Sequence, residues 1–455
     1  MPHSTASSVS STSSSEYDKT IGDEFMLQCL IKKYFLIDKI GAGTFSGVWL
    51  AVNMKTSKLY AIKIQHINDY YDGEKEAIFL TKIKKFKNTS GKEVELNLPN
   101  IIEYFEVKNP EQPDYLNLCI VMDLCFSSIA HLLKMEQYEN GFEFNVCNKI
   151  ITDTLNGLNI LYKMGYIHTD IKPENILIKG LNPIFIEFEK YINDNNIFPT
   201  ISEKLHTLYT SFHLHKLPSN SLLYKNNKKQ YSIEKQKFIQ QQLILLVKQF
   251  KQISNNYIDN IDDIDHSLEP NYYSKTFDFS SFNFHLLDYT FILSDFGTIK
   301  SIIRDNSDEI QTRYYRAPEV IIGCKWDYKA DIWSIGCLYF ELLTNDVLFN
   351  PENDEKYDTD THHLYWIQQL IDIDVSQYGC GKYFNKYFDN NKLKCITTDF
   401  QKLSFAELLS DISLYDGNVK TFILQFLQKT ICNVNERSSF EQLFNYFIKS
   451  SEIQH

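Results

Sequence analysis

The sequence has few of the features that mark secreted or membrane-spanning proteins. Its nine cysteines are scattered, without a Cys-x-x-Cys pair, which argues against a disulfide framework and favours a reducing compartment. No apolar run approaches the roughly 20 residues of a membrane-spanning helix, and the Ser-rich N-terminus lacks an apolar signal core. We therefore expect a soluble intracellular protein, in the cytoplasm or also in the nucleus, that makes no contact with membranes.

Positive charge is also in short supply. The 46 Lys and Arg residues against 58 Asp and Glu residues give a net charge of −12. A protein with a negative net charge binds the phosphate backbone of nucleic acids poorly, so direct nucleic-acid binding is not predicted. A basic protein or peptide is a suitable partner. Hydrophobic residues make up 43% of the 455 residues. That is enough for a sizeable core, in two domains or in one large domain with an insert.

The pattern of apolar residues divides the chain into a strand-rich and a helix-rich part. Residues 1–22 form a polar Ser/Thr tract, for which we expect disorder. Short apolar runs then predict five mostly antiparallel strands over residues 34–37, 48–52, 59–64, 101–107 and 116–122. Helical spacing predicts helices over residues 72–85, 144–163, 330–344, 363–371 and 420–429. This order indicates an α+β fold with a cleft between two lobes.

Residues 181–289 interrupt this pattern. The segment is rich in Asn, Lys, Tyr and Ile, poor in Gly, and contains no recognisable chemical motif. Apolar residues between positions 239 and 250 fall at the spacing of one amphipathic helix. We expect an insertion that is partly helical and partly disordered.

A glycine-rich turn joins the first two predicted strands. Residues 41 to 48 read Gly41-Ala42-Gly43-Thr44-Phe45-Ser46-Gly47-Val48. Glycine lets the backbone approach a phosphate without a Cβ clash, although such a hairpin is more often only a hairpin. Because Rossmann and Walker loops open helices, the strand–loop–strand context excludes both.

Lys63 lies inside the third predicted strand, after Ala61 and Ile62. An ammonium in an apolar strand is costly unless it meets an anion, although a lysine at a strand edge also reaches solvent. The helix that follows carries Glu74 and Glu76. Glu76 is the favoured partner because Leu80, four residues later, belongs to the packing face of that helix.

The most informative stretch is the loop over residues 168–175. It reads His168-Thr169-Asp170-Ile171-Lys172-Pro173-Glu174-Asn175. Such a loop brings together a base, a positive charge and an amide ligand for a metal, whereas the plain alternative is a helix-capping turn with incidental charges. Asp295 comes much later, in Ser294-Asp295-Phe296-Gly297, which by itself is an ordinary turn. Glu319 and Arg437 are a candidate buried ion pair.

In this order the motifs resemble those of the eukaryotic protein kinases. The resemblance covers residues 34–180 and 290–449. It implies a small N-lobe over residues 34–123, built from an antiparallel sheet and one main helix. It further implies a larger, mostly helical C-lobe over residues 124–180 and 290–449, interrupted by a spacer insert at 181–289.

The resemblance also implies roles for individual residues. Asp170 would be the catalytic base, Lys172 would clamp the transferred phosphate, and Asn175 and Asp295 would hold Mg²⁺. Asp331 would brace the catalytic loop. Met122 would be the gatekeeper residue next to the adenine. The implied ATP site consists of Ile40, Gly41, Ala42, Gly43, Thr44, Phe45, Ser46, Gly47, Val48, Ala61, Lys63, Glu76, Met122, Asp123 and Leu124.

Three departures from the general kinase pattern indicate which group of kinases the sequence resembles most. Ser46 stands in place of the third glycine, Thr169 replaces the arginine before the catalytic aspartate, and about a hundred residues separate the catalytic loop from Asp295. These features resemble the SR-protein kinases of the CMGC group, which phosphorylate serines in Arg/Ser repeats. Arg316 is similar to the arginine typical of that group. Phe296 and Ala317-Pro318 instead follow the general kinase pattern.

Two expectations on regulation and substrate follow. Thr169 has no charge with which to grip an activation-loop phosphate, so we expect an enzyme that is active without that modification. Separately, we expect a monomer. Acidic residues cluster over positions 352–360. They are either a solvated surface or a trough for arginine-rich peptides, with Asp358 and Asp360 as its contacts. A kinase with another specificity, such as Ser-Pro sites, and an ATP-binding scaffold remain the alternatives.

Overall fold

The structure is a computed structural model that describes residues 30–42, 46–89, 96–256, 285–303, 308–352, 357–395, 400–409 and 417–450. The tail predicted at residues 1–22 lies outside these ranges, as do Gly43, Thr44 and Phe45. Within the described ranges, no helix is long and apolar enough to cross a membrane.

The N-lobe is an antiparallel sheet of six strands. They are β1 (Leu30–Ile31), β2 (Tyr34–Ala42), β3 (Ser46–Asn53), β4 (Leu59–Gln65), β5 (Ile101–Lys108) and β6 (Leu116–Asp123), in the spatial order β1-β2-β3-β4-β6-β5. We predicted five strands. The sixth, β1, pairs Leu30 with Phe35 across a tight turn at Lys32, whose φ is 53°. Two residues are too short to show an apolar alternation in the sequence.

One long helix packs against this sheet. Helix α1 (Tyr70–Thr89) extends the predicted helix at both ends and contacts β5 and β6. Ala77, Leu80 and Ile83 are buried, at the spacing that predicted the helix. Glu76 is buried on the same side, one turn before Leu80. The helix therefore brings an acid to the cleft side of the sheet.

The first part of the C-lobe follows directly. It contains β7 (Cys125–Ser128), α2 (Ile129–Leu132), α3 (Phe144–Lys163), β8 (Tyr166–Ile167) and β9 (Ile176–Lys179). Helix α3 has the predicted bounds, and its apolar stripe, which includes Ile150, Leu155 and Leu161, is buried. The catalytic-loop motif lies between β8 and β9. It is therefore anchored at both ends by strands.

The described residues of the insert form three helices, whereas one was predicted. They are α4 (Pro183–Asp194), α5 (Ile197–Ser211) and α6 (Leu222–Asn256). The predicted apolar stripe lies on α6, where Ile239, Leu243, Leu246 and Phe250 are buried. It packs in one core with α4, α5 and the inner faces of β2, β3 and β4. The insert thus shares a hydrophobic core with the N-lobe.

The second part of the C-lobe completes the fold. Its elements are β10 (Phe291–Leu293), β11 (Lys300–Ser301), α7 (Pro318–Ile322), α8 (Lys329–Thr344), α9 (Thr359–Leu370), α10 (Phe384–Tyr387), β12 (Phe388–Asp389), β13 (Lys392–Leu393), α11 (Phe405–Leu408), α12 (Gly417–Thr430) and α13 (Phe440–Ser450). Helix α8 is buried along most of its length and forms the centre of the lobe. The predicted two-lobed α+β architecture is confirmed.

Candidate active site

Lys63 lies at the centre of a charged cluster in the cleft. Its Nζ is 2.8 Å from Oε2 and 3.0 Å from Oε1 of Glu76, and 3.2 Å from Oδ1 of Asp295. Gln65 donates a further hydrogen bond of 3.2 Å to Glu76. Burial alone would lower the pKa of Lys63, but the two carboxylates outweigh it and raise the pKa above its ordinary value. The ammonium is therefore permanently charged.

The glycine-rich hairpin covers one side of this cluster. In the β2–β3 ladder Gly41 pairs with Val48, and Ala42 pairs with Gly47. A Cβ at Gly41 would lie 3.5 Å from Cβ of Val48, an ordinary van der Waals distance. Ser46 opens β3 and is buried. Val48 in turn pairs with Lys63 of β4, so the described part of the hairpin adjoins the charged cluster.

The predicted adenine-side residues meet at the end of β6. Ala61 of β4 pairs with Met122, and Tyr60 pairs with Asp123. Oδ2 of Asp123 accepts a 3.0 Å hydrogen bond from Nδ2 of Asn100. Leu124 follows as a buried residue, and Ile40 packs in the same core. These residues therefore form one wall that connects the two lobes.

A buried carboxylate fixes the start of the catalytic loop. Asp331 of α8 accepts 2.9 Å hydrogen bonds from the backbone N–H groups of His168 and Thr169. Burial raises the pKa of Asp331 to about 7 against the lowering effect of these two donors. Thr169 has a φ of 76°, a sparsely populated region for a β-branched residue. Asp331 stabilises this strained backbone from within the C-lobe.

Asp170 is surrounded by four donor groups from three residues. Its Oδ1 accepts from the hydroxyl of Thr312 at 2.7 Å and from the Thr312 N–H at 3.1 Å. Its Oδ2 is 2.8 Å from Nζ of Lys172 and 3.2 Å from Nδ2 of Asn175. Burial alone would raise the pKa of Asp170, but Lys172 and Thr312 hold it below the ordinary value. The carboxylate is thus anionic at neutral pH and fixed in orientation.

Strand pairing brings Asp295 beside Asn175. Leu293 of β10 pairs with Ile176 of β9, and the N–H of Ser294 donates to the carbonyl oxygen of Asn175 at 2.8 Å. Nδ2 of Asn175 also donates to the carbonyl oxygen of Asp170 at 2.8 Å. The amide oxygen of Asn175 is therefore the atom that remains to bind a cation.

These two residues fit a divalent metal. Asp295 has a φ of 62°. Burial would raise the pKa of its carboxyl, but Lys63 outweighs this and lowers the pKa. Mg²⁺ in proteins takes one or two oxygen ligands from side chains and completes its shell with water and substrate phosphates. A carboxylate of Asp295 and the amide oxygen of Asn175 match that donor set.

Phe296 connects this site to helix α1. Its ring lies 5.3 Å from the ring of Phe79 and 5.5 Å from the ring of His168, centroid to centroid. Burial lowers the pKa of His168, so the imidazole remains neutral in this apolar contact. Nε2 of His168 lies 3.0 Å from the carbonyl oxygen of Ser294. The aromatic contact thus aligns Asp295 with the catalytic loop.

The segment after Asp295 is held by Thr169 and Arg316 together with Gln311 and Ser334, two residues to which sequence reasoning gave no role. The hydroxyl of Thr169 donates to the carbonyl oxygen of Thr298 at 2.9 Å, and the N–H of Gln311 donates to the carbonyl oxygen of Thr169 at 3.0 Å. The side chain of Gln311 bonds Ser334 at 2.8 Å. Arg316 donates to the carbonyl oxygen of Gln311 at 2.9 Å. The only signal for this network was the position of Gln311 and Thr312 directly before Arg313.

Glu319 and Arg437 form a bidentate ion pair in the base of the C-lobe. The N–O distances are 2.5 and 2.8 Å, and the side chains are 2% and 0% exposed. The guanidinium also lies 4.8 Å from the ring centroid of Trp333. This pair is remote from the cleft and closed to ligands.

Asp358 and Asp360 are already engaged within the chain. Asp358 caps α9 through the N–H of Thr361 at 2.8 Å and lies 2.6 Å from Nζ of Lys386, which lowers its pKa to about 2 against the effect of burial. Asp360 pairs with Arg313 and accepts a 3.1 Å hydrogen bond from Tyr387. These contacts compete with any role in binding a substrate.

Comparison with known proteins gives a consistent picture. The model of the protein kinase domain family matches residues 34–186 and 283–447, together well over half of the chain. The chain is 27% identical over 421 residues to L205 of Acanthamoeba polyphaga mimivirus, which is named as a serine/threonine-protein kinase; the match covers 79% of this chain and 76% of L205.

Two further relatives come from cellular organisms. The serine/threonine-protein kinase SRPK of Physarum polycephalum is 26% identical, over 87% of this chain and 81% of its own length. The protein kinase dsk1 of Schizosaccharomyces pombe is 26% identical, over 77% and 67% respectively. A solved kinase domain, PF14_0431, shares the fold with a TM-score of 0.55 and 19% identity, over 92% of this chain and 95% of that chain.

Proposed function

The chain belongs to the protein kinase family, and from this premise we propose that it transfers the γ-phosphate of ATP to serines in Arg/Ser-rich proteins. It is a serine/threonine protein kinase that acts on protein substrates and resembles the SR-protein kinases. The main observation in support of this chemistry is the anionic carboxylate of Asp170, which is held in place by Lys172 and Thr312. We propose Mg²⁺ as its metal.

Each part of the site has a distinct task in this reaction. ATP with its divalent metal supplies the phosphoryl group, and Asn175 and Asp295 would hold that metal. Lys63, fixed by Glu76, presents a permanent positive charge to phosphate oxygens. Asp170 orients the substrate hydroxyl and accepts its proton, while Lys172 neutralises charge beside it. Positioning and charge neutralisation supply most of the acceleration in phosphoryl transfer.

The proposed preference for Arg/Ser repeats rests on the relatives and on charge. One relative carries the name SRPK, and the net charge of −12 favours a basic substrate. The test is metal-dependent phosphorylation of peptide libraries that contain Arg/Ser, Ser-Pro and generic basic sequences, with Asp170→Ala as the control. Preference for Ser-Pro would replace the proposal by the alternative specificity. Nucleotide binding without any transfer would favour a scaffold.

We further propose activity without activation-loop phosphorylation. The hydrogen bonds of Thr169, Gln311 and Arg316 already hold both ends of this segment without a phosphate, and Thr169 offers no charge to grip one. Enzyme made in bacteria and treated with phosphatase should retain its full kcat. A loss of more than tenfold, restored by incubation with ATP, would contradict this part of the proposal.

We propose that Asp358 and Asp360 dock the substrate by exchanging their partners in the chain, Lys386 and Arg313, for arginines of the substrate. Charge pairing with an arginine-rich peptide is salt-dependent. Asp358→Asn and Asp360→Asn together should therefore raise the KM for such a peptide at low salt and leave the KM for ATP unchanged. If neither salt nor the double substitution changes the peptide KM, the docking role is excluded.

We also propose that the enzyme works as a monomer in the cytoplasm or the nucleus. No disulfide joins any of the eight described cysteines, which supports a reducing compartment. Light scattering of the purified chain tests the first point, and imaging of a tagged chain tests the second.

A further inference from the structure

A cavity of about 510 Å³ lies on the side of the N-lobe, away from the catalytic cleft. It opens between β1, the turn that connects β3 to β4, and the insert helices α5 and α6. Leu30, Met54, Phe198 and Ile239 form its apolar floor. Since its walls come from the N-lobe on one side and the insert on the other, an occupant would contact both.

The rim of this groove carries only positive charge. Lys32, Lys33, Lys55 and Lys235 line it, and no acidic residue does. Lys33 pairs with Glu103 at 2.6 Å, and Lys32 lies 4.0 Å from the ring centroid of Phe105. Among the described residues, neither Lys55 nor Lys235 has an ion-pair partner, although Lys235 is half-buried. The groove is therefore suited to an acidic segment with apolar side chains.

The chain itself carries such a segment next to the groove. The described structure begins at Leu30, which is part of the floor. The residues before it include four acids, one lysine and four large apolar side chains: Glu16, Asp18, Lys19, Ile21, Asp23, Glu24, Phe25, Met26 and Leu27. We propose that residues 21–28 dock in this groove, with Phe25 and Met26 on the apolar floor and Asp23 and Glu24 on Lys55 and Lys235.

Reach and tethering both favour this occupant. Glu24 is six residues before Leu30, and an extended chain covers up to roughly 3.5 Å per residue, so its carboxylate reaches either free lysine. A tethered segment acts at an effective concentration of order millimolar. A second copy of the chain or an acidic partner protein would have to displace it. Docking would fasten the insert helices to the outer edge of the N-lobe sheet.

The experiment uses the intact chain and a zero-length carbodiimide cross-linker, which joins carboxylates to lysines in contact. Peptide mass spectrometry should detect links from Asp23 or Glu24 to Lys55 or Lys235. The exposed pair Asp358–Lys386, at 2.6 Å, is the internal control for the reagent. Links from these acids only to other lysines, or no links while the control forms, would overturn the proposal. A mixture of ¹⁵N-labelled and unlabelled chains would overturn it if the links form only between chains.

Charge reversal provides a second readout that does not depend on cross-linking. Lys55→Glu with Lys235→Glu should increase the rate of limited proteolysis within residues 16–28 at least fivefold. Adding Asp23→Lys and Glu24→Lys should restore the original rate. The matched control is Lys225→Glu with Lys229→Glu, two exposed lysines of α6 outside the groove, which should leave the rate unchanged. Equal rates in all variants would contradict docking.

Discussion

Two buried ion pairs among the described residues lie in different regions and have different roles. In the cleft, Lys63 is shared by Glu76 and by Asp295, whose side chain is 49% exposed. In the base of the C-lobe, Arg437 is bound on every side: by Glu319, by the carbonyl oxygens of Cys432 and Lys329 at 3.0 Å, and by the ring of Trp333. One cation has a side open to an anion, and the other has none.

The ammonium of Lys63 is accessible to a bound anion, whereas the guanidinium of Arg437 is fully enclosed by protein groups. A buried ion pair costs desolvation and repays it only when its geometry is good. The Glu319–Arg437 pair has that geometry, and its loss should lower the free energy of unfolding. The Lys63–Glu76 pair orients the ammonium toward the solvent-facing carboxylate of Asp295. Its loss should mainly lower the affinity for nucleotide and kcat.

Asp170→Ala, in the cleft, should have the largest effect, which is on kcat. Loss of the base should lower kcat by about 10²- to 10⁴-fold, because the substrate hydroxyl then has no acceptor for its proton. The affinity for ATP should stay within threefold, since Asn175, Asp295 and Lys63 remain. Steady-state kinetics and fluorescent-nucleotide titration measure the two quantities. Asp389→Ala, at an exposed acid, is the control, and a kcat within tenfold of the wild type would contradict the assignment.

The next effect should come from the base of the C-lobe, with Arg437→Met. Breaking a buried pair leaves Glu319 uncompensated, which typically costs about 3–5 kcal/mol. Urea unfolding should show this loss in the free energy of unfolding. A loss below about 1 kcal/mol would place the pair among surface-like ion pairs and remove the contrast with the cleft.

Lys63→Met sharpens the comparison directly. We expect it to cost less than half as much stability as Arg437→Met, because Gln65 still donates to Glu76 and the cleft admits water. Losing a hydrogen bond to a charged group costs about 1.5–3 kcal/mol, so the Kd for ATP should rise about 10- to 100-fold. Urea unfolding and nucleotide titration are again the measurements. Equal stability losses for the two substitutions would erase the distinction.

The smallest effect concerns Glu341, a half-buried acid that accepts a hydrogen bond from a hydroxyl group. It accepts a 2.6 Å hydrogen bond from Tyr315, and burial raises its pKa to about 7. An acid with a raised pKa in the folded state stabilises the fold at low pH and loses that contribution as the pH rises through 7. The melting temperature should therefore fall between about pH 4.5 and 7, by less in Glu341→Gln than in the wild type. Parallel profiles would contradict the raised pKa.

The sequence was most informative where local constraints act. The bounds of α3 followed from its wide apolar stripe, and Glu76 was preferred over Glu74 from the position of Leu80 alone. The loop over residues 168–175 could be identified as a candidate catalytic segment because several charged and polar groups fall within eight positions. The resemblance to kinases then implied the assignment of Asp331 and Asp295, which no local pattern contained.

What could not be predicted depends on distant contacts. Helices α4 and α5 exist because Phe185, Phe188 and Phe198 find a shared core with β2 and β3, and no short window of sequence shows that core. Asp358 and Asp360 looked like free acids, but Lys386 and Arg313 reach them from 28 and 47 positions away. Gln311 and Thr312 took on roles only once the segment had folded against the catalytic loop.

The pairing of β9 with β10 has a consequence for how this enzyme comes into being during translation. Ser294 bonds Asn175 across 119 positions of the chain, so Asp295, the second proposed metal ligand, is synthesised long after Asn175. Closing a loop of that length carries an entropic cost. The insert helices precede Asp295 in the chain and share a core with the N-lobe, so the nascent chain can pack its N-lobe before the residue for the second metal contact is made.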